Sequence, residues 1–308
     1  MMSKNTIGIL YMLVATFGWG LSFLLNKNLL NVLEMNTLVS YRFTIGCAML
    51  CAVFWKRLRQ NTNPRMLLCG FITGGLLYLD LYFTFLALEI TDSGIAGVIM
   101  GSSILWTQLI QAVVQRRLPS PWIALAACLG FVGMTLLAWK GGRLEFATGE
   151  LLSLFTGLLS GIMVVSYNHI LHGNRLDATS LSIWECLWCG IIGFIGMACF
   201  EHPTLQLAPK DWFSLVLLGV ICSGICFLCI GRAQANLDAG RVGILLALEP
   251  LFALLIGVLI AHEHVAILGY LGCAFILAAA ALAGKPDDKT RPHAGENQGA
   301  TPAGTGRL

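Results

Sequence analysis

Charge is what this sequence has least of. Asp, Glu, Lys and Arg together supply 11% of its 308 residues, where soluble domains carry about 25%. Apolar residues make up 57%, against about 45–50% in a soluble domain, and the mean hydropathy is +0.78. A soluble fold of this length could not bury so much apolar surface and still cover itself with polar groups. The composition therefore points to a bilayer as the natural solvent. A net charge of +3 is no footing for nucleic acid. Also missing are a Rossmann glycine fingerprint, a phosphate loop, an HExxH pair and zinc-finger spacing. Histidine is scarce: His169, His172, His202, His262, His264 and His293 fall at helix ends, in loops or in the tail. An intramembrane enzyme needs a nucleophile with its base, or a metal cluster, at one depth. These positions do not supply one, and neither a cofactor nor a metal is expected. The "HEH" at 262–264 places its histidines at i and i+2, off a common helix face, and reads as an outer turn.

Cysteine is plentiful by contrast, with eleven residues, all in apolar runs. Cys186 with Cys189, and Cys226 with Cys229, have the CxxC spacing of a redox or metal pair. No His or second pair lies at a suitable offset, and Cys packs as a small hydrophobe in membrane helices.

A spanning helix needs about 20 mainly apolar residues. Ten such runs are expected, at 5–26, 36–55, 66–88, 94–115, 121–139, 148–171, 178–200, 212–232, 240–261 and 265–284. The first follows Lys4 without a small-residue cleavage site, so it is read as a retained helix rather than a signal peptide. The polar, Gly- and Pro-rich stretch 286–308 is expected to be a disordered cytoplasmic tail. With the N-terminus in the cytoplasm, 14 of the 19 Lys and Arg residues fall inside. The positive-inside rule then puts both termini in the cytoplasm of a multi-pass protein in the inner (plasma) membrane.

The chain also resembles itself. Slid by 146 residues, "LALEITDSGIAGVI" (86–99) sets Ala87 on Ala233, Ser93 on Ala239 and Gly97 on Gly243. Each copy is a helix end, a short turn and a long helix. The first turn carries Glu89 and Asp92; the second carries Arg232 and Arg241. Five helices per half would place the turns on opposite faces, as that charge difference requires. The expected fold is an all-α integral membrane protein of ten transmembrane helices in two inverted five-helix repeats, residues 1–140 and 141–285. Inverted repeats are typical of alternating-access transporters.

Several stretches carry a family resemblance: "GWGLSF" (18–23), "YRF" (41–43), "LALEITDSGIAGVI" (86–99), "LEPLFALLIGVLIAHE" (248–263) and the Gly-rich last helix. Over about residues 5–284 the chain resembles the drug/metabolite transporter superfamily, in its EamA-like branch. The Glu-Pro of the ninth helix, with Glu263 at its end, is the most specific element. The first half departs where a proline is usual, having "GSSIL" (101–105). The resemblance implies ten helices, a central cavity lined by the first, third, fourth, sixth, eighth and ninth among others, and movement of small metabolites. Those are often amino acids or their derivatives, and frequently exported.

The polar residues set inside apolar runs are the candidate site, because an acid at the bilayer centre costs at least about 2.5–3.5 kcal/mol and normally faces the bundle interior. Glu249 reads as a cavity-facing carboxylate that takes up a proton or pairs with a substrate amine, or as a structural acid bonded to a neighbouring helix. Pro250 has no N–H and is expected to free the carbonyl of Leu246 and bend the helix. Asp80 reads as a proton-coupling acid or as an interhelical hydrogen bond, between Tyr78 and Tyr82 at belt positions. Trp19, between two glycines, reads as a cavity wall or a packing aromatic. Ser103, Thr107 and Gln111 share one face of the fourth helix, beside Ser102 and Gln108, and either line the cavity or join helices. Tyr167 and Asn168 are comparable. Arg42 would snorkel outward or pair with Asp80 or Glu185. Gly70/Gly74, Gly97/Gly101 and Gly157/Gly161 have GxxxG spacing and read as packing faces.

The expectation is a secondary transporter, not an enzyme, moving a small polar metabolite across the cytoplasmic membrane with the lipid bilayer as its solvent. Export is expected from the resemblance. Uptake or exchange of a nucleotide-like metabolite, or a non-transporting scaffold, are the rival readings. Proton coupling and a homodimer are both left open by the sequence.

Overall fold

The computed structural model describes residues 3–90, 99–138, 148–261 and 267–283, and no strand occurs among them. Helices are what apolar solvent demands, since each backbone N–H and C=O must then be paired within its own segment. The order is α1 (Lys4–Leu29), α2 (Met35–Asn61), α3 (Pro64–Ile90), α4 (Ser103–Gln115), α5 (Pro121–Ala138), α6 (Thr148–Gly173) and α7 (Ala178–Phe200). Then come α8 (Pro209–Leu217), a π-helical stretch (Leu218–Ile225), α9 (Cys226–Gln234), α10 (Ala239–Leu245), α11 (Leu248–Ala261) and α12 (Ile267–Ala283). Among the described residues seven runs are long and apolar enough to cross a membrane, and Pro121–Leu136 and Leu268–Ala283 are shorter apolar helices. Large apolar side chains stand on the outside, such as Val113 at 76% and Phe213 at 70% exposure. An apolar exterior of this extent suits lipid rather than water.

The eighth, ninth and fourth of the expected spans differ from the uniform helices expected. The eighth is α8 and α9 joined by the π stretch. There the N–H of Cys226 reaches back five residues to the carbonyl of Ile221, the i→i+5 pattern that redirects backbone groups. The ninth is broken at Leu246–Ala247, between α10 and α11. Pro250 is therefore the third residue of α11, in a first turn whose N–H groups have no intrahelical partner anyway. The carbonyl of Leu246, expected to be free, accepts the Glu249 N–H at 3.0 Å. The tightened turn before the helix start satisfies it. The fourth span has the same construction, a turn at Gly101–Ser102 just before α4.

Helices meet where side chains are small. Beside Gly70 and Gly74 of α3 lie Trp184, Trp188 and the carbonyl of Glu185 on α7; beside Gly157 and Gly161 of α6 lie Ser102 and Trp106. Both spacings thus act as packing faces. Gly97 lies outside the described residues, as do Ser93, Glu263, the "HEH" turn and the stretch 286–308.

α2 and α7 pack along their length and are pinned to each other at both ends. At one end Asp177 caps α7, accepting from the Ser180 N–H at 2.9 Å. It also receives the Nε of Arg57, from α2, at 3.1 Å on each carboxylate oxygen. At the other, Glu201 accepts the N–H groups of Asn36 and Thr37 at 2.6 and 2.7 Å and the Thr37 hydroxyl at 2.8 Å. It closes the positive end of α2 from a different helix.

Burial alone would push the Asp177 carboxyl up. The hydrogen bonds from Arg57 and Ser180, with the guanidinium charge, outweigh it and hold the group below the usual carboxylate range. A folded pKa below the unfolded value of about 3.9 adds stability above roughly pH 5. That contribution is lost as pH falls through the folded pKa. Asp177→Asn should therefore melt lower than the parent at pH 7 in detergent, with the gap closing below about pH 4. A gap independent of pH would show that the pair is not charge-based.

Candidate substrate site

The polar interior is assembled from helices far apart in sequence. Arg42 of α2 is 3% exposed and Glu185 of α7 is 3% exposed. Glu249 of α11 and Asp80 of α3 are half-buried. Asp80 and Arg42 both lie within charge–charge reach of Glu249, and Asp80 also accepts a hydrogen bond from the Ser160 hydroxyl of α6. Glu249 occupies the first turn of α11, where the helix dipole favours a negative group. Helices α2 and α3 thus bring one cation and one acid within reach of Glu249 on α11, and α6 gives Asp80 its hydroxyl partner.

Arg42 neither snorkels outward nor forms an ion pair with Asp80 or Glu185. The ion pairs among the described residues are Arg57–Asp177 and Arg241–Asp238. The Nε of Arg42 donates instead to the Ser223 hydroxyl at 2.8 Å, and Nη1 donates to Asn26 Oδ1 at 3.2 Å. The guanidinium stands 5.1 Å from the centre of the Phe43 ring. Ser223 is a residue of the π stretch, which also turns the carbonyl of Cys222 to the indole N–H of Trp19 at 3.0 Å. Trp19 packs on Phe227 at 5.0 Å between ring centres, and Phe227 on Phe43 at 5.4 Å. Trp19 is thereby joined to the wall that holds Arg42. The thiols of Cys222 and Cys186 donate to the carbonyls of Gly18 and Ser223 at 3.1 and 3.5 Å. The cysteines serve here as small packing groups.

The remaining candidates bond to backbone and side-chain groups of their own and neighbouring helices. Thr107 is buried, gives its hydroxyl to the Ser103 carbonyl at 2.8 Å, and is what a methyl on Gly243 would meet. Gln108 donates to the Gly240 carbonyl at 2.8 Å. Ser103 itself is half-buried at the start of α4. Tyr167 is buried with its hydroxyl 2.9 Å from that of Ser182, and Asn168 donates to the carbonyls of Gln234 and Leu237 at 3.1 and 3.0 Å. These groups join α4 and α6 to α7, α9 and α10. A cavity of about 720 Å³ opens among Asn31, Glu34, Tyr82, Phe85, Glu89 and Glu201, at the bundle end where α1 meets α2, and Glu249 is not part of its lining. Asn26, Ser223 and Glu201 went unnoticed in the sequence. Ser223 sits between a cysteine and a glycine in an apolar run, the one signal that could have found it.

Helices wrapped in apolar side chains, with charge closed in among them, define a multi-pass membrane protein. The sequence profile of the EamA-like transporter family matches residues 6–139 and again 147–284; the chain belongs to that family. It is a transporter rather than an enzyme, with a small-molecule substrate. Similar proteins include a biotin transporter of Escherichia coli strain K12, 24% identical over 71% of this chain and 74% of the relative. A biotin transporter of Salmonella typhimurium is 22% identical over 82% and 85%. An uncharacterized transporter of Archaeoglobus fulgidus is 22% identical over 85% and 80%. A protein solved by crystallography superposes with a TM-score of 0.77 at 21% identity, over 90% of this chain and 96% of the other, and shares the fold.

Proposed function

We propose that the protein is a secondary transporter of ten spanning helices in two inverted halves, residues 1–140 and 141–285, with both termini cytoplasmic. It moves a small polar metabolite across the cytoplasmic membrane by alternating access. The observation that carries this reading is that Arg42 and Asp80, from the first half, lie within charge–charge reach of Glu249, from the second. Charge at such an interface is costly unless it is used. The breaks at 101–102 and 246–247 support the repeat, since the 146-residue shift superposes them to within one residue and sets Ser103 on Glu249. Relatives named for biotin, a carboxylic acid, support including an acid of that kind beside amino acids and their derivatives as the proposed cargo. Export follows the family habit. With no nucleotide-binding motif, a proton gradient or exchange supplies the energy, and Glu249 and Asp80 are the candidate coupling acids. A nucleotide-like cargo would call for several cations, and Arg42 is the one that reaches Glu249.

The test is counterflow into proteoliposomes preloaded with unlabelled compound, using labelled biotin and a labelled amino-acid panel. Accumulation of one class supports transport and names the cargo. No counterflow from folded protein across the panel would overturn the reading in favour of a scaffold.

A further inference from the structure

The proposal concerns Arg42 and rests on the transport reading above. A guanidinium has five N–H donors in a planar fork, matched to a carboxylate. At 3% exposure little water reaches them. Ser223 and Asn26 take one donor each, both are neutral, and no hydrogen-bond partner to Nη2 stands among the described residues. Glu249 lies within charge–charge reach of Arg42 but forms no ion pair with it. A buried cation normally has an anion bonded to it. This one is positioned by neutral groups from α1 and the π stretch, and its direct anionic contact is open.

We infer that Arg42 is the docking point for a substrate carboxylate, received on the free edge of its guanidinium. The chemistry around it sets the rest of the ligand. Trp19 is half-buried and packs on the buried Phe227, which packs on the buried Phe43, so the open edge of Trp19 is the part of this aromatic cluster that can meet an apolar body. Glu249 and Asp80 can accept from N–H donors at the ligand's other end. The substrate class is therefore a monocarboxylate with an apolar middle and an N–H-bearing group, a description that amino acids and biotin both meet. Asn26 and Ser223 are positioning residues, holding the fork in plane from the two halves of the chain. The acids do not displace this role, since they are held on α3 and α11 short of contact.

The test uses the purified full chain in detergent and compares acids with capped partners: biotin with its methyl ester, and phenylalanine with its amide. The melting midpoint should rise with at least one acid and not with its capped partner. In Arg42→Gln the apparent affinity for that acid should fall by about tenfold or more, with Arg42→Lys between the two because it keeps charge and loses the fork. Should Arg42→Gln fail to fold, the acid–cap comparison in the parent protein decides alone. Equal shifts from acid and capped partner, no shift from any acid, or full affinity in folded Arg42→Gln would each overturn the inference. Counterflow separates it from the reading beneath. Transport of a neutral or cationic compound, with no acid bound, leaves transport standing and removes the carboxylate site. Acid binding abolished by Arg42→Gln, without counterflow of any compound, keeps the site and removes transport.

Discussion

Gly46→Ala is expected to lower the melting midpoint sharply, and Gly46→Leu to leave no folded protein. Gly46 lies where α2 crosses the π stretch. A methyl placed there would stand 2.6 Å from the Gly219 carbonyl oxygen, 2.9 Å from the Gly224 nitrogen and 3.1 Å from the Ser223 carbonyl carbon. All three are backbone atoms, which cannot swing aside as a side-chain tip does. Gly219 faces Ile45 and the Arg42 carbonyl from the other side, so the crossing has no slack on either chain. Overpacking of this kind costs about 1–3 kcal/mol, and more when the insertion is large. Gly75→Ala on α3 is the control, since its nearest neighbour would be the Ile192 Cδ1 at 3.8 Å. There the helix gains alanine's better propensity. Thermal unfolding in one detergent compares the three. A Gly46→Ala protein melting with the parent would mean that α2 and the π stretch do not touch as described. The same crossing brings the Ser223 hydroxyl to Arg42, so displacement should also weaken acid binding.

The all-helical, multi-pass character and the apolar exterior were legible because hydropathy is a local property and the bilayer enforces it. The GxxxG faces at Gly70/Gly74 and Gly157/Gly161 were legible for a related reason, as only small residues allow such approach. The π stretch was not. It depends on Gly219 and Gly224 meeting α2, a tertiary event that leaves only two glycines in the sequence. The position of Pro250 was misread because a proline in a long apolar run looks like an interior kink. The chain breaks at Leu246–Ala247 first, and Pro250 then falls where a helix tolerates it. Arg42 was suspected, but its partners were not. A serine and an asparagine distant in sequence carry no mark of facing an arginine. Thr107 and Tyr167 stood out for polarity, and their hydroxyls are bonded to Ser103 and Ser182. Polarity alone does not distinguish a pathway-lining hydroxyl from one that joins helices. Glu201 was overlooked at a helix end, where acids are ordinary, although it caps a helix other than its own.

Glu249→Gln should abolish most transport while leaving the fold intact. The amide keeps the size of the side chain and its position in the first turn of α11. That turn begins after the break at Leu246–Ala247, so the helix start does not depend on the charge. What disappears is the acid that lies within charge–charge reach of Arg42 and Asp80. If Glu249 accepts from a substrate N–H or carries the coupling proton, the loss of a hydrogen bond to a charged group is worth roughly 1.5–3 kcal/mol. At 1.4 kcal/mol per decade that is about 10- to 100-fold in counterflow rate. Asp80→Asn removes the other acid while leaving an amide in reach of Ser160. It should depress transport less if Asp80 supports Glu249 and equally if the two share the proton. The rate is to be read across pH 5.5 to 8 in the same liposomes, beside the melting midpoint of each variant. A folded Glu249→Gln protein with the parent's rate and pH profile would remove Glu249 from the mechanism. A pH-independent residual rate in Glu249→Gln, with the parent's dependence retained in Asp80→Asn, would assign the proton to Glu249. The reverse pattern would assign it to Asp80 and leave Glu249 as the acceptor of the substrate's N–H.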